Sequence, residues 1–95
     1  MTHKAQADVS YTEVYRAAHI LEADRAAVEI LQPEDIAVVR RDRVIHAIPA
    51  PSSEVGAYFL AVPETDADRA RRLLERAQKD GILDSDAGQV LPARS

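Results

Sequence analysis

Residues 57–82 read AYFLAVPETDADRARRLLERAQKDGI, and two periods meet inside them. Tyr58, Leu60 and Val62 alternate with Ala57, Phe59 and Ala61, which is the period of a strand. From Ala70 the apolar positions are Ala70, Leu73, Leu74 and Ala77, the stripe of an amphipathic helix. Thr65, followed three residues later by Asp68, predicts a capping box, and Asp66 and Asp68 suit the positive first turn. Asp68 with Arg72 and Glu75 with Lys79 are spaced as ion pairs on the solvent side. Gly81 predicts a left-handed close near Asp80, with Ile82 folding back on the helix. A strand that runs directly into a helix is one half of a two-layer α+β unit.

The other half lies upstream. Residues 9–17 (VSYTEVYRA) are rich in β-branched and aromatic side chains and predict a strand. From Ala18 to Gln32 the period lengthens to 3.6, with Ile20, Ala23, Ala27, Val28 and Leu31 on one arc, so a helix is predicted. Pro33 is expected to end it at Gln32, and Glu34-Asp35 to turn the chain. A second strand is predicted over 36–41, with Asp42-Arg43 turning it into a short return strand over 44–48. Residues 49–56 (PAPSSEVG) have the composition of an exposed, mobile loop.

The sequence therefore predicts one α+β domain over 9–83, with helices on one face of a small sheet. This is the ferredoxin-like two-layer sandwich, complete or lacking its last strand. Residues 1–8 are polar and aperiodic and read as a disordered end. Residues 84–95 are read as a tail in preference to an edge strand.

Composition narrows the functional classes. A chain of 95 residues supports a single core. It has no cysteine, which excludes disulfides, thiolate metal sites and cysteine nucleophiles. A net charge of −4 opposes binding to phosphate backbones, so nucleic acid is not the expected partner. No apolar run approaches a membrane span, and the N-terminus lacks the apolar region of a secretory signal, so a cytoplasmic protein is expected.

Three runs carry a family resemblance: VYRAAHILEA at 14–23, DIAVV at 35–39 and GAYFLAVPETDADRARRLLERA at 56–77. Together they resemble the prokaryotic signal-transducing protein family. By position, the likeness rests on Tyr15, Ala18, Leu21, Glu22 and Ala23, on Ile36, and on Val62, Ala70, Leu73 and Leu74. The resemblance implies a fold similar to PII-type signalling proteins and a regulatory role. That family has a glycine just before the second strand, where this chain carries Pro33-Glu34-Asp35.

Several residues stand out as candidate sites. Asp24 falls inside the apolar arc of the first helix and must be paired or lie at its rim; it reads as a ligand or partner contact, or as one half of a salt bridge to a neighbouring strand. Arg40, Arg41 and Arg43 with His46 form a basic cluster suited to a phosphate-bearing ligand, though Asp42 dilutes it and no stacking aromatic accompanies it. His19 and His46 have no second ligand at metal-binding spacing, and His3 sits in the disordered end. Asp84-Ser85-Asp86-Ala87-Gly88 opens like a calcium loop, but its glycine comes one place early and Ser95 stands where glutamate is needed. No metal or other cofactor is expected, and no nucleophile, phosphate-loop or dinucleotide motif is present.

The sheet is predicted to be apolar on both faces. With Val14, Val38 and Leu60 towards the helices, Tyr11, Tyr15, Val39 and Phe59 are left on the open face, a pattern that predicts a homo-oligomer, a dimer above all. The leading reading is a non-enzymatic regulatory or interaction module that binds a protein partner or small ligand. The alternative is a small-molecule sensor of the ACT or PII type, with its ligand at a subunit groove. The ACT version relies on glycine at the first strand-to-helix turn, which here is Arg16-Ala17-Ala18. An enzyme built on Asp24, His19 or His46 is the third reading.

Overall fold

A computed structural model describes residues 10–44 and 56–92, with the backbone alone given for residues 43, 44 and 56. The strand predicted over 36–41 begins at Val39, and Asp42-Arg43 continue it to Val44, paired with Tyr58 and Ala57, instead of turning the chain. The rest of the return strand predicted over 44–48 and the loop predicted over 49–56, apart from Gly56, lie outside the described residues, as do residues 1–9 and 93–95. In chain order the elements are β1 (Tyr11–Ala17), α1 (Ile20–Arg25, continued by a π-helical stretch Ala26–Leu31 and a 3-10 turn Gln32–Glu34), β2 (Val39–Val44), β3 (Gly56–Pro63), α2 (Ala67–Lys79) and β4 (Gly88–Val90).

The sheet order is β2-β3-β1-β4, every neighbouring pair antiparallel. Two β-α-β units therefore interlock: β1 and β2 run in one direction, joined through α1, and β3 and β4 run in the other, joined through α2. This is the ferredoxin-like α+β sandwich with its last strand present. The segment read as a tail instead supplies an edge strand, with Tyr15 opposite Val90 and Ala17 opposite Gly88.

One core lies between sheet and helices. Leu60 and Val62 of β3, Leu31 at the end of the π stretch, and Ala70, Leu74 and Ala77 of α2 are all buried in it. Tyr58, Leu60 and Val62 share the covered face, as their alternation predicts. In β1 the alternation breaks. Glu13 pairs with Ala61 but Tyr15 pairs with Leu60, so Val14 is an extra residue and both Val14 and Tyr15 are fully buried. A bulge of this kind resets which side chains face the core. Tyr15 therefore belongs to the core, where the sequence reading had placed it on the open face.

The first helix also departs from its predicted face. In a π-helix the hydrogen bonds run to the fifth residue, which brings positions five apart onto one side. Ala26 and Leu31 are both buried, whereas Val28, expected in the arc, is 56% exposed. Pro33 does not stop the chain at Gln32, which keeps right-handed helical angles; the proline sits in the first turn of the 3-10 segment, where no donor is required of it. The end comes at Asp35, whose φ of 61° is left-handed. Its N–H bonds the Gln32 carbonyl at 2.9 Å, and Ile36 N–H bonds the Leu31 carbonyl at 3.3 Å. Asp35 thus does the work of the glycine that the resemblance leads one to expect there. Aspartate tolerates this region better than most residues but less well than glycine. Asp35→Gly is expected to raise stability by about 0.5 kcal/mol and Asp35→Val to lower it by about 1–2 kcal/mol in chemical denaturation.

At the start of α2 no side chain caps the helix: a 3-10 turn, Glu64–Asp66, leads in, and the Thr65 capping box does not form. Asp68 pairs with Arg71 at 3.2 Å rather than with Arg72. The other end closes as predicted. Gly81 has φ of 82°, Ile82 N–H reaches the Ala77 carbonyl at 2.9 Å and Gly81 N–H the Gln78 carbonyl at 3.2 Å, the double bond of a Schellman close. It is Leu83, not the 46% exposed Ile82, that drops into the core. Arg69 ties the two helices together by donating to the Glu34 carbonyl at 2.6 Å.

Candidate functional site

Neighbouring β2 residues point to opposite faces of the sheet, and this divides the predicted basic cluster. Arg40, opposite Leu60, lies on the helix side and bridges Asp24 at 3.3 Å and Asp42 at 2.9 Å. Arg41, opposite Phe59, lies on the open side and meets Glu13 at 3.5 Å. Arg43 contributes its backbone to β2, and its side chain, like all of His46, lies outside what is described. Asp24 therefore sits at the rim of α1 with its carboxylate 55% exposed and paired to a strand arginine. Exposed pairs contribute little, so Asp24→Asn is expected to cost no more than about 0.5–1 kcal/mol by thermal melting.

On the open face the register places Tyr11, Val39, Phe59 and Ala61 together, interleaved with Glu13, Arg16, Arg41 and Gln89. Val39 is 42% exposed there. Three of the four residues predicted for this face are on it. The fourth, Tyr15, is at the centre of a different arrangement.

Tyr15 lies under the junction of β1, β4 and both helices. Its hydroxyl donates to Glu22 Oε2 at 3.3 Å, and the same oxygen accepts the backbone N–H of Asp84 at 3.2 Å. Gln78 donates to the Gly88 carbonyl at 2.9 Å, Ala18 N–H to the Ala87 carbonyl at 2.9 Å, and Leu91 N–H to the Val14 carbonyl at 2.8 Å. The segment that follows α2 is thus latched to β1 and to both helices. Gly88 is required for this closeness, because a methyl group there would overlap the Tyr15 hydroxyl and ring. Asp84 is spent locally, its Oδ1 accepting the Asp86 N–H at 2.9 Å in a turn.

Burial, and then the negative charge of Glu22 and its hydrogen bond, push the Tyr15 phenol well above its ordinary value of 10.0, with Gln78 acting in the opposite sense. The unfolded chain consequently gives up this proton first. The contribution of Tyr15 is constant below about pH 10 and is lost as pH rises above that, at up to about 1.4 kcal/mol per pH unit. Tyr15→Phe is expected to flatten the alkaline fall in stability relative to the parent, read by urea titrations between pH 8 and pH 11.

The latch forms one wall of a groove of about 770 Å³. Arg16, Ala18 and His19 line it from the end of β1 and the start of α1, Glu75 and Gln78 from α2, and residues 85–90 from the turn into β4. Its size falls within the range of small-molecule sites. Of these residues the sequence singled out His19 as a candidate site, Glu75 only as a surface ion-pair position, and Ser85 to Gly88 only as a calcium-loop opening that its spacing ruled out. The signal that was available is the run Gly88-Gln89-Val90, a glycine followed by an alternating pair, which marks a close backbone approach in a short strand. Among the described residues no group of three or more His, Cys, Asp or Glu side chains is placed to hold a metal ion. No helix among them is long and apolar enough to cross a membrane.

Fold and groove together define a small two-layer α+β module with an open, ligand-sized groove beside its last strand. The chain belongs to the family described as "Putative prokaryotic signal transducing protein", which matches residues 11–78. The matched region contains Tyr15 and Glu22 and ends at Gln78, so β4 and the turn before it lie beyond the match. No curated protein and no solved structure is significantly similar to the chain.

Proposed function

We propose that the chain is a non-enzymatic regulatory module of a bacterial signalling system, acting in the cytoplasm by binding a partner or a small ligand. The observation that carries this reading is the family match over residues 11–78, more than half of the chain. The complete sandwich supports it, since a rigid sheet backed by two helices presents a face and a groove without needing a catalytic constellation. Deletion of the gene in its host, followed by transcript and protein profiling, tests it. A coherent change restored by the wild-type gene is expected. An unchanged profile across growth conditions, or turnover of a substrate by the purified chain, would contradict it.

Two observations favour finer forms of the same reading. The groove of about 770 Å³ supports a sensor of the PII or ACT type, in which ligand occupancy alters partner binding. The exposed Val39 beside Tyr11 and Phe59 supports a homodimer through the open sheet face, with Arg41 and Glu13 supplying polar contacts. Light scattering at micromolar concentration is expected to give twice the chain mass, and a monomer there would contradict the dimer.

A further inference from the structure

Five large hydrophobic side chains stand exposed among the described residues, and only one of them, Val39, belongs to the open sheet face. The other four, Ile20, Leu21, Val28 and Ile82, lie on α1 or against it. Arg25, four residues after Leu21 and three before Val28, donates to the Ile82 carbonyl at 3.5 Å and so ties Ile82 to the same side of the helix. Leu21 is 76% exposed, and the core takes nothing from it, because Ala23, Ala26 and Leu31 supply the buried side of this element. The π stretch leaves Val28 outside the core as well, and such stretches recur at functional sites. Exposed apolar side chains scattered singly need no explanation, whereas four grouped along one helix mark a contact surface.

The same element carries the charge of the protein. Residues 20–35 hold five carboxylates, Glu22, Asp24, Glu29, Glu34 and Asp35, against the single guanidinium of Arg25. That is a net of −4, the net charge of the whole chain, so the remaining residues balance to zero. The solvent side of α2 differs on both counts: Arg72, Arg76 and Lys79 alternate there with Glu75 and Asp80, and none of the five exposed hydrophobics lies on it. An acidic border around an apolar strip selects its occupant by sign. A second copy is disfavoured, because it would bring two such acidic faces together. The element that packs on an exposed helix over this length is another helix. We propose that the outer face of α1 docks a basic amphipathic helix of a protein partner. The partner's aliphatic side chains cover Leu21 and Val28. Its lysine or arginine side chains meet Asp24, which stands between those two residues, and Glu29, four residues beyond Arg25. A contact of one helix face buries about 1,000 Å² or less, which suits reversible association. This names a partner class for the regulatory reading and rests on that reading for its biological purpose.

The test is a two-dimensional amide NMR titration of the purified chain with a leucine–lysine amphipathic peptide of about 18 residues, long enough to be helical when docked. The same peptide with glutamate in place of lysine is the control. The basic peptide is expected to shift the amides of residues 20–29 and of Ile82 saturably, and to bind about tenfold or more tightly than the acidic one. Leu21→Gln, at an exposed position, is expected to weaken that binding about tenfold while leaving the rest of the spectrum in place. Glu29→Gln removes one border charge and should weaken it about twofold. The proposal is overturned if the basic peptide gives no saturable shift up to about 1 mM, or if the acidic peptide binds as tightly. It is equally overturned if the shifts centre on the sheet face or α2, or if Leu21→Gln leaves the affinity unchanged. Movement of the α1 amides on dilution of the peptide-free chain would show a second copy on this face instead. A deletion phenotype without peptide binding would sink this inference and leave the regulatory reading standing. Binding without any deletion phenotype would do the reverse.

Discussion

Gly88→Ala is expected to destabilise the domain by about 2–3 kcal/mol, lowering the melting temperature by roughly 10–20 °C for a chain of this size. The new methyl group would overlap the hydroxyl and ring of Tyr15. Tyr15 cannot move aside at low cost: it is fully buried, and its hydroxyl is bonded to Glu22. Shifting it would break that bond and strand a buried polar group. The penalty has a ceiling, which is the free energy needed to lift β4 off β1, because a strand of three residues can peel away before the core unfolds. Adding Tyr15→Phe should not rescue the variant, since the overlapping ring carbon remains. A Gly88→Ala protein with unchanged melting and unchanged amide protection at Gln89 would mean that β4 does not pack on Tyr15.

Leu74→Ala is expected to cost about 3–4 kcal/mol in urea denaturation, the largest effect of any single truncation in α2. Leu74 is completely buried between the sheet and α1, in the same cluster as Leu31 and Leu60, so its removal leaves a cavity that rigid neighbours cannot fill. Leu73→Ala is the internal control. It is half-buried at the edge of that cluster and should cost about 1–2 kcal/mol. Equal losses at the two positions would show that α2 is rotated about its axis relative to the arrangement described here.

The contrast between those leucines was legible from the sequence only as a shared stripe. β3 and α2 could be read because each repeats its period several times and the helix ends in a glycine at the required place. Where the backbone departs from its regular period, side-chain alternation gives no warning. The bulge at Val14 involves no glycine or proline, and it moved Tyr15 from the open face to the core. The π stretch from Ala26 to Leu31 likewise turned Val28 outward, and with it the predicted arc around Asp24. The pairing of Asp24 with a strand arginine was foreseen as one of two readings, because a carboxylate near an apolar stripe requires a partner. The split of Arg40 and Arg41 onto opposite faces follows from strand geometry.

The last strand was the larger omission. Three residues are too few to show alternation, and their partner Tyr15 lies more than seventy positions upstream, so only the tertiary structure brings Gly88 against it. With that strand went the groove, since Ser85 to Val90 make up one of its sides. The junction at Asp35 teaches the opposite lesson. A position where glycine was expected can be filled by a residue that tolerates left-handed angles, and the chain turns there regardless.

The claim on which both the complete sandwich and the groove depend is that residues 88–90 pair with β1. The bonds from Ala18 to Ala87 and from Leu91 to Val14 make Ala17 with Gly88 and Tyr15 with Val90 the close, non-hydrogen-bonded pairs of the ladder. A nuclear Overhauser spectrum of the full chain reads this directly. Strong cross-peaks are expected between the α-protons of Tyr15 and Val90, and between those of Ala17 and Gly88. Their absence, with residues 84–92 at random-coil shifts, would contradict the four-stranded sheet and remove the groove with it.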